Sequence, residues 1–287
     1  RNLQWRWRCF CNGYRKYVNP LRTHCSSMNF GICLLNAIPL RKEPFHRAEM
    51  ISQLLFGETF KILEANRSWL HVLLDEDNYS GWVSTNQIVY LDETEYAEIS
   101  REPSGYIEDL VTYLHKNDTM LPISLGAKLP LFCNRQICIA NQHFIYDGTL
   151  KTGFKPKSSI VATAHFYLQA PHLSGGKTPF GIDASGFTQM VYRINGYSLL
   201  REAYQQASQG EVLSFIEESE AGDVAFFDDE EGNIIHSGII LNNNHIIHCF
   251  GEVRIDRIDH SGIYNVATKK HTHNLRVIKQ MFREVTN

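Results

Sequence analysis

The chain has 287 residues, 43% of them apolar, enough to bury ordinary cores and too many for a disordered chain. Lys and Arg number 28 against 31 Asp and Glu, a net charge of −3, so no strong global field recruits nucleic acid or anionic lipid. No run of about 18 consecutive apolar residues occurs, so no segment reads as a membrane-spanning helix.

Residues 1–27 are basic, and no Asp or Glu occurs before Glu43. They contain no apolar h-region and no small-residue cleavage site, so they do not read as an intact signal peptide. Basic residues interleave with Trp5, Trp7, Phe10, Tyr14 and Tyr17, a pattern that suits a nucleic-acid or membrane surface. The segment is read as a disordered or non-native leader, and no nucleic-acid partner is assigned. The seven cysteines, Cys9, Cys11, Cys25, Cys33, Cys133, Cys138 and Cys249, are odd in number and include no CxxC pair. That argues against a structural zinc site and against a disulfide framework.

From about Ile32 to Tyr90 the pattern is short alternating strands. "TFKILEA", "WLHVLLD" and "YSGWVS" are rich in β-branched and aromatic residues and are separated by turn-forming clusters at Asn66 to Ser68 and Asp75 to Asn78. A small β-barrel over residues 28–92 is expected. Leu91 to Gly105 is acidic, ends in Pro-Ser-Gly and reads as a linker. "YIEDLVTYLHK" has helical spacing at Ile107, Leu110, Val111 and Leu114. "KLPLF", "QICIA" and "HFIYDG" return to strands, so residues 93–157 are expected to hold a linker helix and a second small barrel. From about Ser158 the grammar changes. "SSIVATAHFYLQA" reads as a helix with Ser158 or Ser159 as N-cap and Pro171 closing it. After a Gly-rich turn and a second helix, "DVAFFDD", "IIHSGIIL", "HIIHCFGEVRIDRI" and "LRVIKQM" make four strand-like runs. Helices followed by an antiparallel sheet give an α+β class for residues 158–287.

The chemistry concentrates around "TPFGIDASGFTQMVYRING". Asp183 sits where a helix N-cap belongs, and Phe187, Val191 and Ile194 form one apolar face. Position 184 therefore lies in the first turn, where unpaired N–H groups and the macrodipole stabilise negative charge. That environment lowers the pKa of a cysteine and suits a thiolate nucleophile. The residue there is Ala184. In the following sheet, Asn242 to Asn244 form a tight loop that sets Leu241 opposite His245 and Gly238 opposite His248. His236 and His248 then share one face as diagonal neighbours, so one imidazole can act as base while the other orients it. Two such histidines also occur as purely structural pairs.

The stretches "TPFGIDASGFTQMVYRINGYSLLREAYQQ", "GDVAFF", "HSGIIL" and "IIHCFGEVRIDRID" resemble the NlpC-type cell-wall peptidases, in the branch that carries two bacterial SH3-like domains before the catalytic one. The resemblance spans Met28 to about Met281. It implies a papain-like cysteine peptidase that cleaves peptidoglycan stem peptides between D-glutamate and the diamino acid, with no cofactor and no metal. It also implies His236 as the base, His248 as its orienting partner and position 184 as the nucleophile. Asp183 and Ser185 fall where the family holds the substrate's free amino terminus. Glu49, in "HRAEMISQLLFGE", is the candidate acidic residue of the first SH3-like domain, and Tyr79 the candidate aromatic wall beside it. An ammonium held by carboxylates restricts such a site to peptides with a free first residue.

Three departures stand out. The family's Pro-Tyr-x-Trp-Gly-Gly is replaced by Pro171-His172-Leu173-Ser174-Gly175-Gly176, Cys249 and Phe250 follow His248 where small residues are usual, and the nucleophile is absent. Ser185 is turned about 100° from position 184 and is not in a G-x-S-x-G elbow. Cys249 points to the opposite face from His248. His172 is a third imidazole and raises a metal-site reading. The favoured expectation is a homologue that binds cell-wall peptides without cleaving them. The alternatives are an active endopeptidase disabled by substitution or sequence error, and an interaction protein acting through its SH3-like domains. Either bacterial compartment, cytoplasm or periplasm, fits, and no oligomeric state is assigned.

Overall fold

The computed structural model describes residues 29–283, so the reading of the leader lies outside the described residues. Residues 30–91 form a seven-stranded antiparallel sheet. Its core is the inward half of the expected alternation: in Trp69–Leu74, Leu70, Val72 and Leu74 are buried while His71 and Leu73 are less so. The turns fall where the polar clusters are, with Arg67 and Asn78 both at φ 55°.

Two local expectations are overturned in the next segment. The acidic stretch read as a linker is helix α1, Glu93–Arg101. Asp92 caps it by accepting from the Glu95 N–H at 2.8 Å, and Glu93 and Glu95 lie in its first turn. The segment with helical spacing is instead strand. Gly105–Ile107 and Val111–Lys116 are both extended, and the latter forms a hairpin with Thr119–Ser124 through Asn117 at φ 51°. Val111, Thr112 and Tyr113 favour strand, and the apolar residues do not share a face: Leu114 is buried, whereas Leu110 and Val111 are exposed. Residues 105–151 thus build a four-stranded and a three-stranded sheet. Their core residues Ile107, Leu114, Ile123 and Phe144 pack together with Ile32, Phe56 and Leu91 of the first unit.

The last unit begins with α2, Lys157–His165, which starts after Pro156 rather than at the serines and ends before Pro171. Helices α3, Ala184–Ile194, and α4, Ala203–Gln206, follow. The final sheet has seven antiparallel strands. The long strand Lys270–Gln280 pairs both with Val224–Asp228 and with Gly262–Asn265, so six strands close into a barrel. Phe187, Val191 and Ile194 of α3 pack on its outside with Val224, Phe226, Ile239 and Ile247. Ala225, Phe227, Ile240, Ile246 and Ile258 fill its inside. Cys33 and Cys249 are buried thiols outside any disulfide, whereas Cys133 is disulfide-bonded.

A buried ionic network locks the three units together. Glu58 of the first sheet, 1% exposed, meets Lys177 at 3.0 Å and Arg193 of α3. Glu76 joins Arg193 at 3.7 Å and Lys128 of the second unit at 2.6 Å. Burial opposes charge on Glu76, but Arg193 and Lys128 prevail and hold its carboxyl down to about 2. Removing Glu58 leaves the buried Lys177 without its carboxylate and Arg193 with only the longer contact to Glu76. Glu58→Ala is therefore expected to cost about 3–5 kcal/mol of unfolding free energy, read from urea denaturation. Because the folded pKa of Glu76 is depressed, its contribution is complete at neutral pH and is lost as pH falls from 4.5 towards about 2.

Candidate active site

Asp183 is the N-cap of α3, and its Oδ1 accepts from the Gly186 N–H at 2.7 Å. A side chain at 186 would bring a Cβ within 2.4 Å of the Gly176 carbonyl oxygen, so this first turn can close only on glycine. The expected helix start is therefore in place, with Ala184 as its first residue, partly buried. Ser237 donates to the Ala184 carbonyl at 3.2 Å, which seats the helix entrance against the strand carrying His236.

The Asp183 carboxylate is fully engaged. Oδ2 accepts from the Gly175 N–H at 2.8 Å and from Arg201 Nη2 at 2.6 Å, and Oδ1 accepts from Arg201 Nη1 at 3.1 Å. Ser185 joins the cluster, accepting from Arg201 Nη1 at 2.9 Å and donating to Asp183 Oδ1 at 3.3 Å. Arg201 Nε reaches Ser52 of the first sheet at 3.0 Å. Arg201 is 1% exposed; burial works against its charge, but Asp183 prevails and the guanidinium pKa is raised. Sequence reading passed over Arg201. Its one signal is a lone cation after the apolar Leu199-Leu200.

The first unit reaches this site through two segments. Tyr79 donates its hydroxyl to Glu202, beside Arg201, and Asp77 accepts from Gln189 of α3 at 2.8 Å. Glu49 does not join the cluster. Its side chain is 64% exposed and pairs with Lys42 at 3.5 Å. The adjacent Met50 carbonyl lies against Gly175, at φ 76°, where any Cβ would approach it to 2.3 Å.

The imidazoles come together as the hairpin register requires. Gly238 faces His248 and Leu241 faces His245, with Asn243 and Asn244 at φ 60° and 56°. His236 Nε2 lies 2.9 Å from His248 Nδ1, both rings buried. They share the face of Phe227, inside the barrel. Two further members were not singled out from the sequence. His273, on the long strand, stacks on His236 with centroids 4.1 Å apart, and Asp256 accepts from His248 Nε2 at 3.1 Å. His273 stands on a strand distant along the chain, which only the sheet order brings in, whereas Asp256 is on the strand that follows and pairs with that of His248. Burial, with the neighbouring His248 and His273, drives the His236 pKa far below its ordinary value. Burial also lowers His248 despite Asp256, and takes His273 down to about 4. The rings are thus neutral near pH 7, the form in which an imidazole can take a proton.

The substitutes fall away on geometry. Cys249 lies on the outer face, donates to the Ile182 carbonyl at 3.1 Å, and is pushed up to about 12 by burial and then by Asp183. The Ser185 hydroxyl is occupied by Arg201 and Asp183. His172 is exposed. Among the described residues no group of three His, Cys, Asp or Glu side chains can hold a metal ion.

Residues 169–276 match the NlpC/P60 family, and residues 40–88 match the bacterial dipeptidyl-peptidase SH3 domain. The chain carries an NlpC/P60 domain behind a bacterial SH3 domain. It is 26% identical over 216 residues to the gamma-D-glutamyl-L-lysine dipeptidyl-peptidase of Bacillus subtilis (strain 168), covering 69% of this chain and 71% of that protein. It is 23% identical over 248 residues to the dipeptidyl-peptidase 6 of Lysinibacillus sphaericus, covering 77% and 88%. An NlpC/P60 family protein from Bacillus cereus has the same fold, with a TM-score of 0.75, 18% identity, and coverage of 88% of this chain and 99% of that one.

The lowered histidines of the NlpC/P60 domain carry a pH signature. The unfolded chain protonates His273 near 6.5, whereas the folded protein resists until about 4, so its stability contribution is present above 6.5 and is lost as pH falls through that window. His273→Phe keeps a ring in the stack and is expected to flatten the fall in unfolding free energy across this window, measured by urea denaturation at several pH values.

Proposed function

We propose that this protein binds peptidoglycan stem peptides of the L-Ala-γ-D-Glu-diamino-acid type through a free amino terminus, and does not cleave them. The observation that carries the reading is the coexistence of a capped helix entrance and a buried, neutral His236–His248 pair with alanine at position 184. The substrate class is supported by relatives named as gamma-D-glutamyl-L-lysine dipeptidyl-peptidases. In this reading residue 184 is the position of a lost cysteine nucleophile, His236 the base and His248 its partner.

The amino terminus is assigned to Asp183, Ser185, Tyr79 and Glu49, with different roles. Asp183 is already neutralised by Arg201, so it presents a fixed carboxylate edge rather than a free charge. Glu49 supplies the unneutralised charge, because its exposed pair with Lys42 is worth little and is readily exchanged. We also assign residues 105–151 as a second SH3-like unit, with 28–92 as the first and 158–287 as the peptidase-type domain. The shared core at Phe56 and Phe144 supports a rigid support for the site rather than a tethered pair of modules.

Restoring the sulfur tests the proposal. Ala184→Cys is expected to raise hydrolysis of L-Ala-γ-D-Glu-L-Lys by at least about 10³-fold over the native chain. Chromatography of the products reads it, and an inactive cysteine variant would show that the remaining site is not competent. Acetylating the peptide's amino terminus is expected to weaken binding by about tenfold or more, since a charge-assisted hydrogen bond is worth about 1.5–3 kcal/mol. Equal affinity for both peptides would remove Glu49 and Asp183 from their assigned role.

A further inference from the structure

The imidazole pair does not end at His248. Asp256, 5% exposed, lies behind it with Oδ2 3.1 Å from His248 Nε2. Arg254 clamps the same carboxylate, with Nε 2.7 Å from Oδ2 and Nη2 3.1 Å from Oδ1. Burial opposes charge on Asp256, but the bonds from His248 and Arg254 prevail and its carboxyl stays below the ordinary range. An ionised carboxylate only accepts hydrogen bonds.

The proton positions then follow in sequence. His248 must carry its proton on Nε2 to satisfy Asp256. A neutral imidazole has one N–H, so His248 Nδ1 is an acceptor. Its partner at 2.9 Å is His236 Nε2, which must therefore donate. The lone pair of His236 is left on Nδ1. His273, stacked on the same ring, restrains its plane.

We propose that Asp256 is a positioning residue that fixes the tautomers of both histidines and so makes Nδ1 the basic nitrogen of His236. When Nδ1 takes a proton from a nucleophile, the positive charge spreads over His236, and the buried carboxylate stabilises it through His248 without itself being protonated. The logic is that of an acid–base–nucleophile triad, extended by one ring. The word "base" rests on the proposed function; the tautomers do not.

Nitrogen-15 NMR of the imidazoles in the unaltered protein at neutral pH tests this directly. His236 and His248 are each expected to be protonated at Nε2 and bare at Nδ1. A proton on His248 Nδ1 would overturn the proposal, and this readout needs neither a variant nor turnover. Asp256→Ala is expected to release His248 into a mixture of tautomers; an unchanged spectrum counts against the proposal. In the Ala184→Cys background, Asp256→Ala is expected to lower kcat about tenfold or more with KM little changed. An unchanged kcat would leave Asp256 without a role in positioning the base. If Ala184→Cys is itself silent, the functional reading fails while the spectra still decide the role of Asp256.

Discussion

The Arg201 guanidinium holds the site together. Four hydrogen bonds run from one buried cation to Asp183, Ser185 and Ser52, so the N-cap of α3, its first turn and the first sheet share one anchor. A bidentate fork fixes the carboxylate in plane as well as in distance. Asp183 can then cap the helix in a single orientation. The arrangement makes the first sheet part of the site: its Ser52 completes the guanidinium's bonds and its Tyr79 meets Glu202.

The chemistry of the site depends on the contrast between this charged cluster and the imidazoles. At the helix start, unpaired N–H groups and the dipole favour negative charge. Inside the barrel, burial strips the histidines of theirs. A thiol has a proton to give, and becomes an anion that a helix start stabilises. Ala184 supplies neither, and no neighbouring side chain replaces it: Cys249 faces away and Ser185 is spoken for. What remains at the helix start is a preorganised cluster of Asp183, Ser185 and Arg201.

Local signals carried far in the sequence. Asp183, the apolar spacing of Phe187, Val191 and Ile194, and the Asn242–Asn244 turn specify a helix start and a hairpin register, and both are found. The same rules failed at Ile107 to Leu114, where apolar residues at helical spacing fall in two strands and the turn between them because β-branched residues and the Asn117 turn outweigh periodicity. They also missed α1, whose acidic first turn was read as a solvated linker. Arg201, His273, Asp256 and Glu58 were invisible for a different reason. Arg201 and Glu58 act across units and His273 across non-adjacent strands, while Asp256 reaches His248 from the neighbouring strand, and nothing within a few residues of any of them announces its partner.

The most direct test of the account is calorimetric titration of the native chain with L-Ala-γ-D-Glu-L-Lys, followed by mass spectrometry of the recovered peptide. The account predicts a saturable binding heat and an intact peptide. Free L-Ala-D-Glu or free lysine accumulating with the unaltered protein would contradict it.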